Sequence, residues 1–100
     1  MSSYNKLVRD KIPQILDNKG ITYERRIASP EEYKIELIKK LDEELKEFSE
    51  AGDVEELADL LEVIEAVKKL PEYENVEMLR QKKLEEKGGF NDRIILKGEK

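Results

Sequence analysis

Five carboxylates at short, regular spacings are the residues of this chain best suited to chemistry. Glu43, Glu44 and Glu47 lie within one five-residue stretch, and Glu56 and Asp59 follow at the spacing i, i+3. Residues three or four positions apart share one face of a helix, so each group presents its acids together. Hard divalent cations such as Mg²⁺ prefer oxygen ligands of this kind. The pattern therefore indicates a cation site built from two helices.

Two of these carboxylates interrupt the apolar faces of their helices. At about 100° per residue, Glu44 falls inside one apolar arc and Glu56 inside the other, with Glu47 and Asp59 at the edges. An unpaired carboxylate on a packing face costs on the order of several kcal/mol, so a bound cation is the natural neutraliser. The arcs consist of Leu37, Ile38, Leu41, Leu45 and Phe48, and of Leu57, Leu60, Leu61, Val63, Ile64 and Val67.

A solvated acidic surface is the alternative interpretation. The chain has 24 acidic residues among 100, so acidic pairs at helical spacing also occur by chance. Many of the other glutamates have a lysine three or four positions on, as Glu65 has Lys69, which supports an exposed helix without forming a site. The spacing alone leaves both interpretations open.

A tight turn is predicted to bring the two acidic groups face to face. Gly52 suits the end of the first helix, and Asp53 suits the cap of the second. Glu56 lies three residues after Asp53, which completes a capping-box spacing. We therefore expect an antiparallel helical hairpin with its acids near the turn.

The other predicted elements are short and lie around this hairpin. Asp10 is a candidate cap and Pro13 a first-turn residue of a short helix, and Ser29 caps the first long helix. Two apolar stretches favour strands that pair as a small accessory β-hairpin. The ranges are helices at 13–19, 30–51, 54–70 and 72–87, and strands at 21–28 and 93–96 within 90–97.

The carboxylate pattern also resembles a known signature. Glu43 to Asp59 matches the E-E-x-x-E … E-x-x-D motif of the MazG-like all-α NTP pyrophosphohydrolases, which are similar to phosphoribosyl-ATP pyrophosphohydrolase. The opening YNKLVRDKIP at 4–13 and the ending GGF…RI at 88–94 look like those of a small predicted house-cleaning subgroup. The resemblance covers nearly the whole chain. Eight residues separate Glu47 from Glu56, fewer than in many members of the family.

The resemblance implies a function as well as a fold. It implies one domain over residues 1–100 that hydrolyses a (d)NTP to the (d)NMP and pyrophosphate with Mg²⁺, in the removal of aberrant nucleotides. The implied metal ligands are Glu44, Glu47, Glu56 and Asp59. Together with Glu44, Glu43 belongs to the implied catalytic set, as the ligand of a further ion or as general base.

Three cations near the N-terminus, Lys6, Arg9 and Lys11, are candidate substrate-binding residues. They can screen a leaving pyrophosphate, or form a solvated arm that pairs with the acidic helices. The resemblance favours the first role for Lys6 and Arg9. Tyr4 and Phe90 are candidates for stacking on a nucleobase, with ordinary packing as the alternative.

Composition excludes several function classes. A net charge of −5 argues against general nucleic-acid binding. The chain has no apolar run suited to a membrane helix and no signal-peptide pattern, so we expect no membrane association and a cytoplasmic protein. The absence of Cys and His excludes the usual zinc sites and nucleophiles activated by histidine.

The hairpin cannot close a core by itself. Two long apolar faces need two further helices, so we expect a mainly α fold in which a homodimer, or a higher homo-oligomer, completes a four-helix bundle. Two rival functions remain open. One is a non-catalytic helical dimerisation or interaction module with a solvated acidic face, and the other is a nucleotide-binding protein without turnover.

Overall fold

The computed structural model describes residues 5–99 and is mainly α-helical. Helices α2 and α3 pack against each other as an antiparallel hairpin, the main helix–helix contact in this part of the chain. None of the helices between residues 5 and 99 has the length and apolar character that crossing a membrane requires. The elements are α1 (Ile12–Asn18), α2 (Pro30–Ala51), α3 (Val54–Lys68), a 3₁₀ turn (Pro71–Tyr73) and α4 (Val76–Lys87).

The predicted caps of the hairpin are confirmed. Gly52 adopts the left-handed conformation at φ 66°, which glycine tolerates best, and its N–H donates to the Phe48 carbonyl at 2.8 Å. The Asp53 side chain accepts from the Glu56 N–H at 2.9 Å. At the start of α2, the Ser29 hydroxyl accepts from a first-turn backbone N–H at 3.2 Å. These contacts fix where α3 begins and therefore where its acidic residues point.

The core of the chain is small. Its buried apolar residues in the described range are Leu37, Leu60, Val63 and Leu70, and none of them comes from α1 or α4. The accessible surface is 9576 Å², whereas a compact monomer of this mass exposes about 5,900 Å². The radius of gyration is 18.0 Å, against about 13 Å for a compact domain of this length. The chain thus leaves much apolar surface uncovered.

The hairpin has two unlike faces. One, here called the closed face, carries the buried residues Leu37, Glu44, Leu60 and Val63. The other, here called the open face, lies about 60–100° further round each helix. Its side chains are exposed or half-buried although they are apolar. They are Ile38, Leu41, Leu45, Leu57, Leu61 and Ile64.

The predicted accessory β-hairpin is absent from residues 5–99. The segments 21–28 and 90–97 contain no strand, and Ile94, Ile95 and Leu96 are mostly exposed. A two-stranded ribbon is marginally stable unless it packs on another element. Neither segment contributes a buried residue, and the half-buried Tyr23 hydrogen-bonds to α1 instead, so neither strand pairing nor deep burial supports the local strand preference of these sequences.

Three helix boundaries differ from prediction. Helix α1 begins at Ile12 without a side-chain cap. The Ile12 N–H donates to the Arg9 carbonyl at 3.0 Å, and this turn replaces the predicted cap from Asp10. Helix α3 stops before Leu70, which is extended at ψ 137° as residues before proline prefer. The helix predicted for 72–87 is divided into the 3₁₀ turn after Pro71 and α4 from Val76.

Candidate metal centre

Three carboxylates from α2 and α3 meet at the turn end of the closed face. Glu44, Glu56 and Asp59 each place one oxygen within 4.8 Å of the other two. Glu44 is buried, with 7 % of its surface exposed, and the other two are half-buried. Oxygen ligands from two rigid helices at this separation form a group that can hold a cation.

Helical spacing explains why these acids are buried. Glu44 lies seven residues after Leu37, and Glu56 lies four residues before Leu60, so each shares a row with a core residue. Asp59 is offset toward the edge of the closed face. The positions of Glu44 and Glu56 inside apolar arcs, which motivated the prediction of a site, are therefore what removes them from water.

Two oxygens of this cluster lack a partner. The Oε2 atoms of Glu44 and Glu56 are buried and have no hydrogen-bond partner among the described residues. A buried polar atom left unsatisfied costs about 1–3 kcal/mol, and more when it is charged, so native structures rarely contain one. Two such atoms beside a third carboxylate fit a divalent cation, which would satisfy both.

The electrostatics of the cluster point the same way. Burial raises the pKa of Glu44, and the charge of Glu47 raises it further, while nearby Lys40 opposes the shift. Burial likewise raises the pKa of Glu56, followed by the charges of Glu47 and Asp53. Burial and neighbouring negative charge both disfavour the ionised carboxylates. A positive ion bound among them would therefore offset an electrostatic cost of the metal-free fold.

Glu47, the fourth predicted ligand, lies at the rim. Its side chain is exposed, and it is not one of the three residues whose oxygens approach most closely. Its charge is nevertheless the strongest electrostatic influence on the pKa of both Glu44 and Glu56. The structure therefore brings three of the four predicted ligands together and places Glu47 beside them.

Glu43, a member of the predicted catalytic set with Glu44, lies outside the cluster on the neighbouring side of α2. Its Oε1 is 3.7 Å from the ammonium nitrogens of both Lys6 and Lys40. The side chain is 40 % exposed, so it remains within reach of a molecule bound from solvent. Its position suits a group that acts at the edge of the site.

The basic N-terminal segment lies along the acidic helices. Arg9 Nη1 is 3.2 Å from Asp59 Oδ1, and Lys6 pairs with Glu43. Lys11 is exposed at the start of α1. The pairs agree with the interpretation of an arm that neutralises the helices, and they also place two cations beside the carboxylates, as phosphate binding requires.

One residue of the site was missed at the sequence level. The Lys40 ammonium lies 3.6 Å from Glu44 Oε1, and its side chain is only 18 % exposed. The signal was present, because Lys40 precedes Glu44 by four positions and so lies on the same side of α2. Of the two aromatic candidates, Phe90 is 98 % exposed beyond α4, and Tyr4 falls outside the described residues.

Comparison with known proteins adds no relative: no family model, no curated protein and no solved structure matches the chain. The function therefore has to be argued from the geometry of the carboxylate cluster, its neighbouring cations and the motif that these residues form.

Proposed function

We propose that the protein is a Mg²⁺-dependent nucleoside triphosphate pyrophosphohydrolase. The observation that carries the proposal is buried Glu44, whose unpartnered Oε2 belongs to a cluster with Glu56 and Asp59 of the facing helix. The resemblance of this motif to that of the MazG-like enzymes supplies the reaction class. Water adds to the α-phosphorus, the bond to the α–β bridging oxygen breaks, and the monophosphate, pyrophosphate and a proton are released.

Glu44, Glu56 and Asp59, with Glu47 at the rim, are the proposed ligands. Mg²⁺ bound there would neutralise charge on the triphosphate and lower the pKa of a bound water. The protein contributes a set of carboxylates that two capped helices hold in place before the ion arrives. Because one ligand is buried and the rim is exposed, the site is anchored in the hairpin and open on one side to substrate.

The remaining candidates have roles at that open side. Glu43 is half-buried next to the cluster, with 40 % of its side chain open to solvent, which suits a general base that accepts the proton of the attacking water. Arg9 and Lys6 supply positive charge beside Asp59 and Glu43, where it can offset the charge of the leaving pyrophosphate. Lys11 lies further along the same segment, and we assign it a weaker role, as positive charge that acts on the substrate at long range.

We also propose that the active species is a homodimer that completes a four-helix bundle. The open face repeats apolar residues at 38, 41 and 45 and again at 57, 61 and 64, the spacing of bundle interfaces. Obligate homodimers bury about 2,000–5,000 Å². Because that area is summed over both partners, each chain contributes about 1,000–2,500 Å². The excess accessible surface of one chain, about 3,700 Å² over a compact monomer, is large enough to supply it.

A non-catalytic interaction module is the second candidate, and the same open face is the observation that favours it. That function needs an apolar surface and does not involve the carboxylates, which would then be a solvated acidic surface. Burial of Glu44 at 7 % exposure supports the hydrolase over this module, because a solvated acid has no reason to lie among core residues.

The test is incubation of the protein with Mg²⁺ and a panel of canonical and modified (d)NTPs. Monophosphate and pyrophosphate in equal amounts, abolished by EDTA, is the expected result for at least one nucleotide. Diphosphate with inorganic phosphate would indicate cleavage of a different bond. Failure to cleave any member of the panel would leave the interaction module as the better function.

A further inference from the structure

An apolar groove lies toward the end of the hairpin that is remote from the Gly52 turn. It measures about 330 Å³, and α2, α3, the 3₁₀ turn and α4 all contribute to its walls. Because Ile38 precedes Gly52 by fourteen residues, this part of α2 lies about 21 Å from the turn. The apolar lining of the groove consists of Ile38, Leu41, Ile64, Val67, Tyr73 and Val76.

Contacts between elements hold the walls of this groove in place. The Lys34 ammonium of α2 is 2.9 Å from a Glu72 carboxylate oxygen and 5.3 Å from the centre of the Tyr73 ring, and both partners belong to the 3₁₀ turn. Lys68, which also lines the groove, lies 2.8 Å from Glu77 of α4. These contacts link the 3₁₀ turn and α4 to the hairpin, so a single chain already forms the groove.

The chain also carries a segment whose apolar side chains are left uncovered. Residues 90–97, here called the arm, follow α4 after Gly88 and Gly89. Single exposed apolar residues are ordinary on a protein surface, but four among eight consecutive positions form a patch of the kind that marks a binding surface. The four are between 72 % and 98 % exposed, and they are Phe90, Ile94, Ile95 and Leu96.

The charge of the arm suits a partner with the composition of this chain. Arg93 and Lys97 flank the apolar run and give it a charge of +2, whereas the whole chain has −5, so the rest of the chain carries −7. Glu72 and Glu77, which border the groove, keep 48 % and 49 % of their side chains exposed. Because a carboxylate has two oxygens, each can accept a further cation from an arm that lies in the groove.

The arm is poorly placed to fill the groove of its own chain. Val76, which lines the groove, begins α4, and the eleven residues from there to Lys87 carry the chain about 17 Å away. A turn then holds the Arg93 N–H 3.3 Å from the Phe90 carbonyl oxygen. The four residues beyond this turn span about 13 Å when extended, which is less than the return distance. A second copy of the chain is not subject to this limit.

We propose that the protein exchanges arms between copies, with Ile94 and Leu96 of each chain lying in the apolar groove of the other. Alternate side chains of an extended segment share one side, so these two enter together. The proposal rests on the proposed homodimer and adds to it a contact outside the four helices. Ile38, Leu41 and Ile64 belong to both the groove and the open face, so a second copy on the open face continues into the groove. Two-fold symmetry then makes the contact twice.

Cross-linking between single-cysteine chains tests the exchange directly, because the chain contains no cysteine of its own. Leu96→Cys and Val67→Cys are prepared separately, the second with a size tag, then mixed, equilibrated and treated with a bis-maleimide. The mixed product should form at least tenfold faster than when Ile27→Cys takes the place of Leu96→Cys. Ile27 is the matched control, since it lies outside the groove and has the same 89 % exposure as Leu96.

A second experiment measures how much the arms contribute to assembly. The double variant Ile94→Glu/Leu96→Glu should raise the dissociation constant of the dimer at least tenfold in sedimentation equilibrium. Ile27→Glu should change that constant less than twofold. All three positions are exposed in the single chain, so both variants should keep the helicity of the wild type in circular dichroism.

The outcomes separate arm exchange from the proposed function. Equal cross-linking rates in the two mixtures, or an unchanged dimer affinity in the double variant, would overturn the exchange and leave the homodimer and the hydrolase standing. A chain with both Leu96→Cys and Val67→Cys that links only within itself would show that the arm fills its own groove, and would likewise overturn it. A monomeric wild type would overturn the exchange together with the homodimer, whereas the nucleotide panel decides the hydrolase independently.

Discussion

The closed and open faces of the α2–α3 hairpin each hold side chains in an unfavourable environment, but the side chains are of opposite kinds. The closed face buries a carboxylate, Glu44, where water is excluded, and the open face exposes apolar side chains such as Leu61 to water. The first arrangement calls for a positive ion and the second for an apolar partner. One hairpin therefore presents two surfaces of different chemistry, and we propose a cation for one and a second copy of the chain for the other.

The two faces meet at adjacent residues of α2. Leu37 is 3 % exposed and Ile38, its neighbour on α2, is 47 % exposed. Both belong to the apolar arc that the sequence shows, so periodicity alone treats them alike. What distinguishes them is that Leu37 packs inside the chain, whereas Ile38 stays half exposed in a groove that Tyr73 and Val76 also line.

The largest expected effect is the loss of activity when a buried carboxylate is neutralised. Glu44→Gln and Glu56→Gln should each lower kcat/KM by more than about 100-fold, since even residues behind the ligands of a metal site contribute 10–100-fold. Glu62→Gln, exposed on the far side of α3, is the control and should have wild-type activity. Equal kinetics for all three variants would show that the carboxylates of the closed face contribute no more to activity than one on the solvent side.

The next effect concerns the open face. Wild-type protein should scatter light as a dimer, with twice the chain mass of 11.7 kDa. Leu61→Glu places a charge in the proposed interface and should shift the mass toward the monomer at micromolar concentration. Ile27→Glu, an 89 % exposed apolar residue outside the hairpin, should remain a dimer. A wild-type mass near that of one chain would contradict the assignment of the open face.

A smaller effect is expected from the cations beside the closed face. Arg9→Ala and Lys6→Ala should lower kcat/KM about tenfold, because each removes charge that faces the triphosphate. Stability should change by less than about 1 kcal/mol, since both ion pairs are largely exposed. Steady-state kinetics with circular dichroism as a folding control measures both. Unchanged kinetics would reduce the N-terminal segment to a charge-balancing arm.

The smallest effect is a pH dependence of the metal-free protein. The pKa values of Glu44 and Glu56 are raised above the ordinary 4.5, so the folded state holds these protons more tightly than the unfolded state. Their contribution to stability is complete below the ordinary pKa and is lost as pH rises through the raised values. Glu32 and Glu77 have lowered pKa values, so the stability that they contribute is lost only when the pH falls below the ordinary carboxyl pKa of 4.5.

In EDTA, the melting temperature should therefore fall as the pH is raised from the ordinary carboxyl pKa of 4.5 toward neutrality. Glu44→Gln should flatten the profile, and Glu62→Gln should leave it unchanged. A wild-type profile that rises through this range would show that the buried carboxylates are not the groups that destabilise the metal-free fold.

The sequence was sufficient where local interactions determine the structure. Ser29, Gly52 and Asp53 determine the ends of α2 and α3, and these caps need only neighbouring residues. The meeting of Glu44 with Glu56 also follows from helical phase, once the turn is known. Both were predicted because helix geometry connects residue number directly to direction.

The sequence was insufficient where long-range packing decides. Residues 21–28 and 90–97 have the composition of strands, but in the described part of the chain they form none and contribute no buried residue, and the half-buried Tyr23 hydrogen-bonds to α1 instead. Lys40 was overlooked because its importance depends on the burial of Glu44 and on the path of the N-terminal segment beside α2. Neither property can be obtained from spacing alone.

The most direct test of the central claim is the melting temperature with and without Mg²⁺, at fixed protein concentration. At ten times its dissociation constant, an ion bound only to the folded state adds about 1.4 kcal/mol, or about 5–10 °C for a chain of this size. The wild type and Glu62→Gln should show this rise. Glu44→Gln should lose it, and its metal-free melting temperature should equal or exceed that of the wild type as repulsion falls. The same Mg²⁺ response in Glu44→Gln as in the wild type, or none in either, would contradict a cation site on the closed face.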